Sequence, residues 1–196
     1  MKEGEKYILD DQERVVVKEL IKNPRISDNQ ISFNTSIPLK TVNRKRKNLE
    51  LNGCLRYFAE LDNNETGTKI FSGRHMYIIK LAHGISRKEL IDFLKQNSSK
   101  NKHKARHIHS SYVGRSGGNL VLVKLIESRV SPDIIEIFNC DIVPEIRQRF
   151  GEDAVVNTDV IHIDEVFRLF HNYMPFVNMK DGKIDEHWND ELVFVD

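Results

Sequence analysis

An α+β fold in two parts is predicted by three features of the chain. Three short helical segments come first, a strand-helix-strand-strand-helix-strand order comes next, and the charge is unevenly placed, with a basic cluster early and an acidic excess beyond Ser131. Five of the eight residues 40–47 are basic (Lys40, Arg44, Lys45, Arg46 and Lys47) and none is acidic. Beyond Ser131 the acids, among them Asp133, Glu136, Asp141, Glu145, Asp185 and Glu191, outnumber the bases. With a net charge of only +1, this early local cluster, and not the bulk charge, is what points to a nucleic-acid partner.

The first helix is capped by Asp10 or Asp11, repeats Val16, Leu20 and Ile21 on one face, and ends at Asn23-Pro24 because proline cannot continue the hydrogen-bond ladder. Ser27-Asp28-Asn29-Gln30 has the spacing of a capping box for a second helix to about Asn34. After the turn at Thr35-Ser36-Ile37, Pro38 suits the first position of a third helix that stops at Gly53. Residues 54–61 then alternate as a strand and Asp62-Asn63-Asn64 turns it, which makes a wing. Two helices across a short turn, with a hairpin behind them, are a winged helix-turn-helix.

With Val42 and Leu49 facing inward, the third helix presents Lys40, Thr41, Asn43, Arg44, Lys45 and Lys47 outward. These residue types suit double-stranded DNA. Arg pairs with the two acceptors of guanine, Asn with the donor and acceptor of adenine, and Lys neutralises phosphate. A basic helix face can also be merely solvated; the cap, turn and wing around this one favour DNA.

The residues Ile37-Pro38-Leu39-Lys40-Thr41-Val42-Asn43-Arg44-Lys45, then Leu49-Glu50-Leu51-Asn52-Gly53 and Tyr57 with Leu61-Asp62, resemble the leucine-responsive/AsnC (feast/famine) transcriptional regulators. In that pattern a Thr-Val opens the recognition helix, basic residues come next, and Leu-Glu-x-x-Gly precedes a Tyr-containing strand. The resemblance spans about residues 8–67. Three positions depart from it: Ser32 replaces a small apolar residue, Ser36 a turn glycine, and Arg46 a buried aliphatic. The resemblance implies a sequence-specific, dimeric regulator of transcription.

Behind this part, residues 75–81 read as a strand, and Ser86-Arg87-Lys88-Glu89 caps a helix carrying Leu90, Ile91, Phe93 and Leu94. Residues 105–113 and 119–126 read as strands around the Gly-rich hairpin Gly114-Arg115-Ser116-Gly117-Gly118. A helix begins after Ser131-Pro132, kinked or split at Pro144, and residues 155–163 close the set as a strand. The expected fold is therefore α+β: an N-terminal winged helix-turn-helix (1–67) plus a C-terminal ferredoxin-like βαββαβ sandwich (68–165), with a C-terminal extension (166–196). An amphipathic helix is expected from Asp164 to about Tyr173. The acidic stretch after Pro175 is a packed arm, a strand exchanged with a partner, or a tail.

A four-stranded sheet with helices on one face leaves its other face in need of a partner, so a homodimer or higher homo-oligomer is expected. The resemblance further implies a small-molecule effector, often an amino acid, between paired domains near a Gly-x-x-Asp hairpin. Here Gly114, Gly117, Gly118 and Asn119 are the candidates, with Asn standing in place of Asp.

Other chemistry finds little support. His103, His107 and His109 cannot all align on one regular element, so no metal is expected; Cys54 and Cys140 have neither disulfide nor zinc-knuckle spacing, and no cofactor motif occurs. Lysines and Arg106 interleave with those histidines, which also allows an additional phosphate-contacting patch. The rival class is an enzyme resembling siroheme decarboxylases, which share this two-domain architecture; His107, His109 and Arg115 would be its candidate residues. No apolar run approaches the roughly 20 residues that span a bilayer, so a cytoplasmic protein with no membrane partner is expected.

Overall fold

The computed structural model describes residues 7–59, 73–97 and 102–195, the side chains of residues 102 and 103 excepted. The chain forms two compact units: Met1–Glu60 with Val166–Asp196, and Leu61–Glu165.

In the first unit, helix α1 (Asp11–Lys22) starts from a full capping box. The Asp10 carboxylate accepts from the Glu13 backbone N–H at 2.9 Å, and the Glu13 carboxylate accepts from that of Asp10 at 3.0 Å. Helix α2 (Asp28–Thr35) has half of its expected box. The Ser27 hydroxyl accepts from the Gln30 N–H, but the Gln30 side chain donates forward to Asn34 at 2.8 Å and not back to the cap. Ser36 then takes the left-handed conformation, φ 58°, that a turn glycine would adopt without cost. Pro38 precedes helix α3 (Leu39–Leu51) as its cap, one position earlier than expected, and Gly53 at φ 68° ends it. Val16, Leu20, Ile31, Ile37 and Val42 form the shared core, with Ile26 and Leu55 packed against it. Burial of each such side chain contributes roughly 1.5–3 kcal/mol.

The amphipathic helix expected from Asp164 to Tyr173 does not form. Leu169 and Tyr173 instead pair as an antiparallel bridge, and Phe170 between them sits at φ 55°, outside the helical region. From there the chain continues as a packed arm. Asn178, fully buried, accepts from the Met174 N–H at 2.9 Å and donates to the Asn172 carbonyl at 2.8 Å, satisfying backbone groups that a helix would have paired. The Tyr173 hydroxyl donates to the Ile21 carbonyl at 3.1 Å, and Asp190 pairs with Lys22 at 2.5 Å, so the arm lies against α1.

The second unit runs β1 (Gly73–Leu81), α4 (Arg87–Asn97), α5 (Lys102–His107), β2 (Ile108–Ser116), β3 (Asn119–Ser128), α6 (Ser131–Glu136), α7 (Val143–Phe150) and β4 (Val155–His162). Its antiparallel sheet has the order β2-β3-β1-β4, the ferredoxin-like arrangement. The Ser86/Glu89 box caps α4 in both directions.

Three details differ from expectation. Residues 105–107 are helical and β2 begins only at Ile108, because the short α5 turns Lys104 and His107, three apart, inward together. The strands run through Gly114 and Ser116, so the turn is only Gly117-Gly118, with φ of 55° and 83° as a two-residue hairpin turn requires. Ahead of Pro144 the chain widens into a π-helical stretch, Ile137–Ile142, where the Val143 N–H reaches Phe138. Proline donates no hydrogen bond and its ring crowds the carbonyl four residues back, so the helix survives by widening before it.

Alternation along the strands sends Tyr77, Ile79, Leu81, Leu120, Leu122 and Ile126 into the core beneath the helices, where they meet Leu90, Phe93, Ile134, Phe138 and Ile146. Met76, Ile78, Val121, Val123 and Leu125 face the other way, beside Tyr112 and Ile161, whose side chains are exposed.

Candidate nucleic-acid interface

The rotation of α3 is fixed by its buried residues, Val42, Lys45 and Leu49, which recur at helical spacing and face α1 and α2. Lys40, Asn43, Arg44 and Lys47 lie on the exposed side, and Thr41 is half-buried at its margin. Within the described residues, Lys40, Arg44 and Lys47 make no ion pair. Their cationic groups are available to an anionic partner.

Lys45 does not belong with them. It sits on the core stripe, only 7% exposed, and its ammonium pairs with the Asp10 carboxylate. A lysine in that position can pack its stem only if its head finds a counter-charge, and the N-cap of α1 supplies one. The Lys45 hydrogen bond holds the Asp10 carboxyl below its ordinary value of 3.8, helped by the Glu13 backbone N–H. One carboxylate thus caps α1 and anchors α3.

Arg46 is also turned inward, and neither composition nor spacing predicted what it does. Its guanidinium bonds Asp28 at 2.8 Å, the Tyr57 hydroxyl at 2.9 Å, Glu50 at 3.2 Å and the Ile26 carbonyl at 3.3 Å, and it lies 5.4 Å from the centre of the Tyr57 ring. Where an aliphatic would be buried, a charged fork ties α3 to the start of α2 and to the segment after Gly53. Burial, and then the hydrogen bond to Glu50, push the Tyr57 hydroxyl up to about 12, so it stays a donor across the physiological range. The signal in the sequence was the i, i+4 pair Arg46/Glu50 with a tyrosine after it.

Asp28 is shared, because the Asn43 amide also donates to it at 3.0 Å. It is the only acid lining the shallow groove formed by Ser27, Asp28, Asn29, Leu39, Lys40, Asn43 and Arg46. Asn43 is therefore held in place by one of its two amide N–H groups, leaving the other and its carbonyl oxygen for a base edge, whereas Arg44 is unrestrained among the described residues.

The effector candidates lie elsewhere, in the second unit. Gly117 and Gly118 form the hairpin turn, Gly114 is paired within β2, and the buried Asn119 amide donates to the Leu81 carbonyl at 2.8 Å. Asn119 thus secures the sheet, with one of its two amide N–H groups already used. His107 is buried with Nδ1 on the Glu127 carbonyl at 2.8 Å, while His109 and Arg115 are exposed. No group of three or more His, Cys, Asp or Glu able to hold a metal occurs among the described residues. Among them, too, no helix is long and apolar enough to cross a membrane.

No protein-family model and no curated protein matches the chain in sequence. Solved structures do match. The leucine response regulatory protein LrpA of Mycobacterium tuberculosis aligns over 85% of this chain and 100% of its own, at a TM-score of 0.60 and 17% identity. AsnC of E. coli aligns over 83% and 97%, at 0.60 and 12%. A transcriptional regulator of Neisseria meningitidis, solved in complex with L-Met, aligns over 85% and 96%, at 0.61 and 12%. The chain has the leucine-responsive/AsnC fold. The motif residues that suggested this fold now have structural duties: Val42 and Leu49 are buried, Gly53 ends α3, and Tyr57 braces Arg46.

Proposed function

We propose that the protein is a sequence-specific DNA-binding regulator of transcription, acting as a homodimer through a winged helix-turn-helix and modulated by a small molecule. The observation that carries this reading is the outer face of α3, where Lys40, Asn43, Arg44 and Lys47 are exposed while the opposite face is locked into a core. Arg44 and Asn43 read base edges, and Lys40 and Lys47 contact phosphate. The proposed wing is residues 54–67, of which 60–67 lie outside the described residues and 54–59 run without the strand expected of them; Tyr57 couples this first part to the recognition helix. The dimer forms across the sheet face bearing Met76, Ile78, Val123 and Leu125, since an apolar face left in water costs about 25 cal/mol per Å². A neighbour of this fold solved with L-Met supports an effector, with Gly114 and the Gly117-Gly118 turn as its candidate contacts.

The test is to select duplexes from a random pool with the full chain at physiological salt while measuring its mass by light scattering. The expected outcome is enrichment of paired half-sites about one helical turn or a multiple of it apart, bound by a dimer. A strict monomer, or a pool that stays random, overturns the reading.

A further inference from the structure

The second unit holds a cavity whose chemistry the DNA-binding reading leaves unused. It lies under α4, α5 and α7, against β2 and β3, and encloses about 260 Å³. Its walls are largely apolar, with Phe93, Leu94, Ala105, Ile108, Leu122 and Ile146 among them. Into this space β3 sends Lys124, on the same strand face as Leu122 and Ile126, where alternation calls for an apolar residue. Lys124 is only 8% exposed.

A buried ammonium requires a counter-charge, and this one has none of its own. The one hydrogen bond it makes among the described residues is to the Ser111 hydroxyl, at 3.2 Å. The cavity's single carboxylate, Glu145, is paired with Lys104, the other lysine lining it. That pair cancels, and Lys124 remains as one net positive charge in an apolar enclosure. Burial, and next the field of Lys104, push Lys124 down to about 8 against the pull of Glu145. At neutral pH most of the molecules therefore keep the charge.

The contrast with Lys45 is direct. Both lysines lie on core faces, but Lys45 has Asp10, whereas Lys124 has a hydroxyl and faces the cavity.

We infer that this cavity is a binding site for a small monocarboxylate with a short apolar tail, its carboxylate paired with the Lys124 ammonium and its tail against Phe93, Leu122 and Ile146. The cavity's volume of about 260 Å³ lies just below the roughly 300–1,000 Å³ of pockets that hold drug-sized ligands, so the ligand is a smaller molecule. The size suits a branched five- or six-carbon acid. An α-amino acid fits less well, because its ammonium would meet only the neutral Asn97 amide and Ser111 hydroxyl and would add a second charge beside Lys124. The site lies within one protomer and away from the Gly117-Gly118 turn, and it does not depend on whether α3 binds DNA.

The experiment uses the full chain without DNA and three probes: isocaproate, its neutral isostere isocaproamide, and L-leucine. Calorimetry gives the affinities, and the Lys124 side-chain NMR resonance, assigned by its loss in Lys124→Met, reports the site. Isocaproate is expected to bind and shift that resonance, while isocaproamide and L-leucine leave it in place. Lys124→Met is expected to weaken isocaproate by roughly ten- to hundredfold, the loss of one charge-assisted contact. Should the variant not fold, calorimetry of the wild-type chain with isocaproate against isocaproamide decides alone. Failure of isocaproate to bind, an amide or leucine that moves the resonance equally, or full affinity in a folded Lys124→Met protein each overturns the proposal.

Discussion

The helix-turn-helix unit pairs both inward-facing cations of α3, whereas the ferredoxin-like unit pairs the buried Lys104 with Glu145 and leaves the neighbouring Lys124 without a carboxylate of its own. In the first, each inward-facing cation of α3 is answered from within: Lys45 by Asp10, and Arg46 by Asp28, Glu50 and Tyr57. In the second, Lys124 is answered by a hydroxyl alone. An internally paired cation is a fastener that fixes the helix's rotation, and the unpaired cations on its outer face are then the ones left for a ligand. A cation buried without a carboxylate of its own marks a place where the ligand completes the pair.

The largest expected effect breaks the first half of that comparison. Asp10→Ala removes the cap of α1 and strands the Lys45 ammonium, and should cost about 3 kcal/mol by urea denaturation. The ion-pair share is discounted because the Asp10 side chain is about half exposed. Lys45→Met removes the buried charge itself and should cost distinctly less. Equal losses would mean that Lys45 is not the group Asp10 neutralises.

Next in size is the pH response of the same pair. Asp10 is lowered in the folded state from 3.8, so its contribution is fully present above pH 4 and is lost as the pH falls through the lower folded value. Wild type should thus lose stability in that acid range relative to Asp10→Asn, and parallel acid titrations of the two proteins would contradict the pairing.

Smaller still is the brace after Gly53. Tyr57→Phe keeps the ring beside Arg46 but removes the hydroxyl's bonds with Arg46 and Glu50, and should cost about 1 kcal/mol by the same denaturation. No change at all would place the hold on Arg46 with Asp28, Glu50 and the Ile26 carbonyl, without the hydroxyl.

Much of this was legible in the sequence, for local reasons. The caps at Asp10, Ser27 and Ser86 and the stop at Gly53 each rest on a few adjacent residues and sit within a residue or two of expectation, and the hairpin turn falls on the last two residues of the Gly-rich run. The failures were non-local. Lys45 read as an outward base because nothing nearby announces Asp10, thirty-five residues back, as its partner. Residues 105–107 read as strand because the inward turn of Lys104 and His107 is decided by Glu145 and the Glu127 carbonyl. The helix expected after Asp164 gave way to turns stabilised by Asn172 and Asn178, whose bonds to Phe194 and Met174 periodicity cannot express.

The most direct test of the account is the binding of Arg44→Ala, Lys47→Ala and Lys45→Met to a selected duplex and to random duplex across a range of salt. Arg44→Ala should lose about 1–3 kcal/mol on the selected site and flatten the preference for it. Lys47→Ala should weaken both duplexes alike and lower the salt slope by roughly one ion per protomer, and Lys45→Met should leave that slope unchanged. If Arg44→Ala binds as tightly and selectively as wild type, or if Lys45→Met changes the slope as Lys47→Ala does, α3 is not oriented toward DNA as argued.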